Sequence, residues 1–148
     1  MLMMSWCRQR ETTMQNILVI DDEPDVRDAV KRVLDRAGYS VRTVDNATDA
    51  LAELKRVATD VVITDIIMPK IDGVQAIESI RKAFPSVRII AISGGGNFGI
   101  STYHPTAITT TAYLASAEVA GAHLALTKPF ESGDLIQAVE KVLGVGHA

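Results

Sequence analysis

At 148 residues, 47% of them hydrophobic, the chain has the size of one ordinary domain and enough apolar mass to build a core without disulfide or metal staples. Fifteen Lys and Arg against eighteen Asp and Glu leave a net charge of −3. With no cationic block, the composition speaks against direct binding to nucleic acid or to an anionic membrane.

The first residues, "MLMMSWCRQRETTMQN", place their basic residues after the apolar end and lack both a sustained apolar region and a small-residue cleavage site. No stretch of the chain reaches the roughly eighteen apolar residues of a membrane span. Cys7 is the single cysteine, which rules out an intramolecular bridge and suits a reducing compartment. The expectation is a cytoplasmic protein with a flexible arm over residues 1–15 and one domain over 16–148.

The domain opens on "ILVI" (17–20), a continuous apolar run of the kind found in strands covered on both faces. From Val26 the period becomes helical, with Val26, Ala29, Val30, Val33, Leu34 and Ala37 on one stripe and Gly38 where a C-terminal cap belongs. "YSVRTV" (39–44) alternates as a second strand. Asn46 then caps a helix with an inner stripe of Ala47, Ala50, Leu51, Leu54 and Val57. "VVIT" (61–64) is a third strand, and after the Asp72-Gly73 turn Val74, Ile77, Ile80 and Phe84 mark a third helix. "VRIIAI" (87–92) is a fourth strand. Beyond a Gly-rich loop, Ile108, Ala112, Ala115 and Val119 predict a fourth helix ended by Gly121. "HLAL" (123–126) predicts the last strand, and Leu135, Ile136, Val139, Val142 and Leu143 the last helix.

Strands alternating with helices predict an α/β fold with a doubly wound parallel sheet of five strands and five helices, because parallel neighbours need crossovers and those are right-handed. Ligands in such sheets sit at the carboxyl ends of the strands. The first strand ends in "IDDEPD" and the third in "TDIIMP". If these two strands are neighbours, Asp21, Asp22 and Asp65 crowd one rim, and two unit charges about 5 Å apart repel by roughly 3 kcal/mol at an effective dielectric near 20. A proton or a divalent cation would offset that repulsion. Hard oxygen donors without His or Cys favour Mg²⁺, which keeps waters and accepts phosphate oxygens. A carboxylate beside such an ion can act as a nucleophile toward phosphorus. Ser93 follows the fourth strand and Lys128 the fifth, where a hydroxyl and an ammonium can meet phosphoryl oxygens. Taken singly, each feature has a plainer reading: "DDE" as a helix N-terminal signal, Asp65 as a turn residue, Ser93 as a loop start and Lys128 as a solvated charge. Their shared rim is what points to chemistry.

"VIDDEPDVRDAVKRVLDRAGYSV", "DVVITDIIMPKIDGVQAIESIRK", "IIAISGGG" and "LTKPF" together resemble the receiver domain of two-component response regulators, the CheY-like superfamily, in order and from Asn16 to about Leu143. The resemblance implies the flavodoxin-like fold with strand order 2-1-3-4-5. It also implies roles: Asp65 as phosphoacceptor, Asp22 as direct Mg²⁺ ligand, Asp21 as a ligand mainly through water, and the main-chain carbonyl of Ile67 as a further ligand. Ser93 corresponds to the hydroxyl that turns toward the phosphoryl group, and Lys128 to the lysine that pairs with it.

Two features depart from that pattern. Three positions before the lysine, where many receivers carry an aromatic residue that swings inward, this chain has Ala125. Ser93 and Lys128 are also 35 positions apart, longer than usual, so the region between the fourth strand and fourth helix is extended. That stretch reads either as a tolerated surface insertion or as a reshaped fourth helix forming a partner surface, with Tyr103 in place of the missing aromatic. His104, His123 and His147 show no ligand spacing. Ile67 and Gly95, two positions beyond the acceptor and the hydroxyl, offer no group to orient a hydrolytic water, which implies a phosphoryl group of moderate to long lifetime.

The expected function is that of a stand-alone receiver, monomer or weak dimer. It would take a phosphoryl group from a histidine kinase or phosphotransfer protein and signal through protein contacts, without an output enzyme of its own. Two other classes stay open on the residues alone: a receiver-like scaffold independent of phosphate, and a small phosphotransferase or hydrolase using the same acidic rim.

Overall fold

The runs at 17–20, 61–64 and 87–92 become neighbouring central strands, buried on both faces apart from the exposed Arg88 at the start of β4. The computed structural model describes residues 14–66, 73–93, 121–127 and 130–144. Its elements in chain order are β1 (Asn16–Ile20), α1 (Pro24–Arg36), β2 (Ser40–Val44), α2 (Ala47–Arg56), β3 (Val61–Asp65), α3 (Gly73–Ala83), β4 (Arg88–Ser93), β5 (Leu124–Thr127) and α4 (Ser132–Leu143). The five strands form one sheet in the order β2-β1-β3-β4-β5, and every neighbouring pair is parallel. This is the predicted flavodoxin-like order. The predicted fourth helix (108–119), most of the arm, Tyr103, Ile67 and Lys128 lie outside the described residues.

Alternation along each strand sorts the core into two layers. Ile17, Val19, Val61, Ile63, Ile90 and Ile92 pack with Val30 and Leu34 of α1 and Leu135, Ala138 and Val139 of α4. Their alternates, Leu18, Ile20, Val62, Ile89 and Ala91, pack with Ala50 and Leu54 of α2 and Ile77 and Ile80 of α3. A strand between two such layers has no face for a polar residue until it leaves the sheet. The α1 stripe is narrower than its spacing suggests, since Val30 and Leu34 are buried while Ala29 and Ala37 are exposed.

Local signals end the elements where expected. Asn46 accepts a hydrogen bond from the amide of Asp49 at 2.7 Å, capping α2. Gly38, directly after the α1 C-cap, takes φ = +101°, a conformation that favours glycine. His123 precedes β5 rather than opening it; its amide donates to the Ile89 carbonyl at 2.8 Å, and its ring Nδ1 accepts from the Ile89 amide at 3.1 Å. An imidazole thus takes the place of a main-chain acceptor at the amino edge of the sheet, opposite the carboxyl ends of the strands.

Candidate functional site

The register of β1 against β3 pairs Ile20 with Thr64, so the residues that follow, Asp21 and Asp65, reach the same rim side by side. Asp22 is next in the turn leading into α1. The three carboxylates each offer an oxygen within 4.8 Å of the others. Asp21 and Asp65 are buried, at 2% and 6% exposure, while Asp22 is half-buried. Burial in low dielectric strengthens their mutual repulsion, so the arrangement is stable only with compensating positive charge, donors or a proton.

Part of that compensation is visible. The Asp21 amide donates to the Val44 carbonyl of β2 at 3.2 Å, fixing the end of β1. Its Oδ1 accepts from the Glu23 amide at 2.9 Å, a local turn that starts α1. Pro24 then occupies the first helical position, where its missing N–H costs nothing. On β3, the hydroxyl of buried Thr64 donates to the Asp65 carbonyl at 3.1 Å, and the Ile66 amide donates to Ile92 of β4 at 3.0 Å. Asp65 is therefore the last residue of a strand held on both sides.

Of the residues singled out in the sequence, Asp21, Asp22 and Asp65 are brought together. Ser93 ends β4, two strands from β1, in register with Thr127 of β5. Ile67 and Lys128 lie outside the described residues. Ala125 is half-buried and pairs with Ala91 of β4, so two small side chains meet where a receiver with a switch aromatic carries a large one. One residue escaped the sequence reading: Arg27, whose Nη1 donates to the main-chain carbonyl of Asp21 at 2.7 Å. The available signal was its position one turn inside α1, from which a helical side chain leans back toward the N-terminus.

The donor set suits a hard cation. An octahedral Mg²⁺ with oxygens at about 2.1 Å spans about 4.2 Å between opposite ligands. Carboxylates spread over as much as 4.8 Å match that span when one is bound through water.

The family profile described as the response regulator receiver domain matches residues 17–140. The chain belongs to this family. It is 30% identical over 130 residues to the response regulator receiver protein CpdR of Brucella abortus, covering 88% of this chain and 98% of that one. It is 32% identical over 130 residues to the nitrogen assimilation regulatory protein NtrX of Azorhizobium caulinodans, covering 86% of this chain and 26% of that one. The chain therefore spans about a quarter of that NtrX and nearly all of CpdR. The solved receiver domain of NtrX from Brucella abortus superposes with a TM-score of 0.74 at 32% identity, covering 88% of this chain and 99% of that one.

The chain is thus a receiver domain, the phosphoacceptor module of two-component systems. Receiver domains generally bind Mg²⁺ at an acidic pocket, and Asp21, Asp22 and Asp65 form an acidic cluster here. They work with histidine kinases or phosphotransfer proteins. Among the described residues no helix is long and apolar enough to cross a membrane.

Proposed function

We propose that Asp65 is the residue that accepts the phosphoryl group. The observation that carries this reading is the meeting of Asp21, Asp22 and Asp65 within 4.8 Å at the carboxyl ends of adjacent strands. Asp22 and Asp65 would hold Mg²⁺ directly, Asp21 would hold it through water, and the main-chain carbonyl of Ile67 would be a further ligand. When bound, the cation neutralises the crowded carboxylates and draws phosphoryl oxygens to the rim.

An Oδ of Asp65 attacks the phosphorus of a phosphohistidine on a histidine kinase or phosphotransfer protein. The P–O bond forms as the P–N bond breaks, and the departing imidazole keeps the electron pair and takes a proton. Asp65 is paired with Ile92 of β4 at the end of a strand whose preceding residue pairs with β1, which restrains the backbone that presents its carboxylate. Lys128, which follows β5 in the sequence, and Ser93, the last residue of β4, are the groups assigned to the phosphoryl oxygens. The chain promotes its own phosphorylation and dephosphorylation and carries the signal through a protein contact surface near the fourth predicted helix and β5. Residues 16–148 form the receiver, preceded by an arm over 1–15, and the protein works in the cytoplasm beside its donor.

The test is intact-mass spectrometry after treatment with acetyl phosphate. Wild type with Mg²⁺ gains one phosphoryl adduct; wild type in EDTA and Asp65→Asn with Mg²⁺ do not. An equal adduct on Asp65→Asn refutes the assignment.

A further inference from the structure

Two of the three clustered carboxylates, Asp21 and Asp22, leave the chain from one short turn, so the stiffness of that turn decides whether they stay aimed at Asp65. Mutual repulsion acts to spread them. Among the described residues, three bonds oppose this at Asp21: its amide to Val44, its Oδ1 from the Glu23 amide, and its main-chain carbonyl from Arg27. The first two are local consequences of the sheet and the helix start. The third comes from a half-buried side chain on α1, whose own amide closes the first helical turn onto the Glu23 carbonyl at 3.0 Å. Arg27 is thereby tied to the turn through both backbone and side chain, and its guanidinium addresses a main-chain carbonyl rather than a carboxylate.

From this we infer that Arg27 is a positioning residue for the acid cluster, clamping the turn between β1 and α1 in its cation-ready shape before any cation arrives. The inference rests on the reading of the cluster as the Mg²⁺ site. A charged donor on a carbonyl is stronger than a neutral one, and the planar guanidinium directs it. Lysine at this position keeps the charge but is a hydrated point charge on a different stem, so charge and clamp can be separated. The two accounts differ in sign. If Arg27 acted through its charge alone, removing it would leave the site more negative and Mg²⁺ would bind more tightly. If it acts as a clamp, removing it weakens binding, as the loss of partners that orient metal ligands does, by about 10-fold or more.

The experiment uses the full chain as wild type, Arg27→Gln and Arg27→Lys. Mg²⁺ binding is measured by titration calorimetry, and amide hydrogen exchange by NMR in EDTA. Both variants are expected to bind Mg²⁺ about 10-fold more weakly. In the metal-free protein, the Glu23 amide exchanges faster in both variants, while the amides of β3 keep their wild-type protection and report an intact fold. Arg27→Lys, the milder change, serves should Arg27→Gln fail to fold. Unchanged or tighter Mg²⁺ binding, with Glu23 exchange as in wild type, overturns the role of Arg27 alone. A folded wild type that takes up no Mg²⁺ overturns the site reading and this inference together.

Discussion

Replacing Asp65 by Asn removes one charge from the crowded rim while keeping nearly the same shape, and the structure sets the size of the effect. Asp65 faces two carboxylates within 4.8 Å. At an effective dielectric near 20, each such pair repels by roughly 3 kcal/mol. Asp22 is half-buried, which screens its share of the repulsion. The net expectation is that Asp65→Asn is more stable than wild type in EDTA by about 1–2 kcal/mol, or about 2–8 °C in Tm for a domain of this size. Mg²⁺ should reverse the order: a ligand at 100 times its Kd stabilises the native state by about 2.7 kcal/mol, and wild type should collect most of this while Asp65→Asn collects little. Urea unfolding followed by circular dichroism, with EDTA or with saturating Mg²⁺, gives all four values. The reasoning fails if Asp65→Asn is the less stable protein in EDTA and Mg²⁺ stabilises both proteins equally.

Two further predictions concern the amino edge of the sheet. Burial, and then Arg81 and Arg88, hold the His123 imidazole below its ordinary value of 6.5; its Nδ1 must also stay unprotonated to accept from the Ile89 amide. The unfolded chain therefore takes up this proton first, so His123 leaves stability intact above about pH 6.5 and lowers it as pH falls below. In His123→Asn, which keeps an acceptor but does not titrate, the stability-versus-pH slope between pH 5 and 6.5 should be shallower than in wild type, and an equal slope contradicts this. Gly121 has φ = +129° and an added Cβ would overlap the stem of Arg81. Gly121→Ala should cost about 1–3 kcal/mol in urea unfolding, and a neutral result contradicts the geometry.

What could be read from the sequence follows from which interactions leave a periodic trace. Apolar runs announced the two-sided burial of the inner strands and alternation announced β2, so the five strands, and with them the meeting of Asp21, Asp22 and Asp65, were legible to within a residue or two. Asn46 was legible as a cap because capping depends on local chain geometry. Ala29 and Ala37 were misleading members of the α1 stripe: a methyl group adds so little apolar area that its exposure costs almost nothing, and Val30 and Leu34, with the partly buried Val26 and Val33, decide how α1 sits. Arg27 offered only its position one turn inside α1, and the bond His123 makes left no trace. Each bonds to main-chain atoms, and a main-chain carbonyl or amide looks the same at every position of a sequence. Charges of opposite sign one helical turn apart announce pairs such as Lys31 with Asp35, yet such patterns pass over a guanidinium or an imidazole that addresses the backbone.

The strand order carries one more consequence. From β1 the chain winds outward to β2, then crosses back to β3 and winds the other way through β4 and β5. The helices that follow β1 and β3 pack on opposite faces of the sheet, and in such sheets a crevice forms at this switch point whatever side chains line it. Its existence is a property of the winding, and its chemistry belongs to three aspartates set around it. An engineer who rewrites those three positions inherits a ready-made recess and has only to supply new ligands.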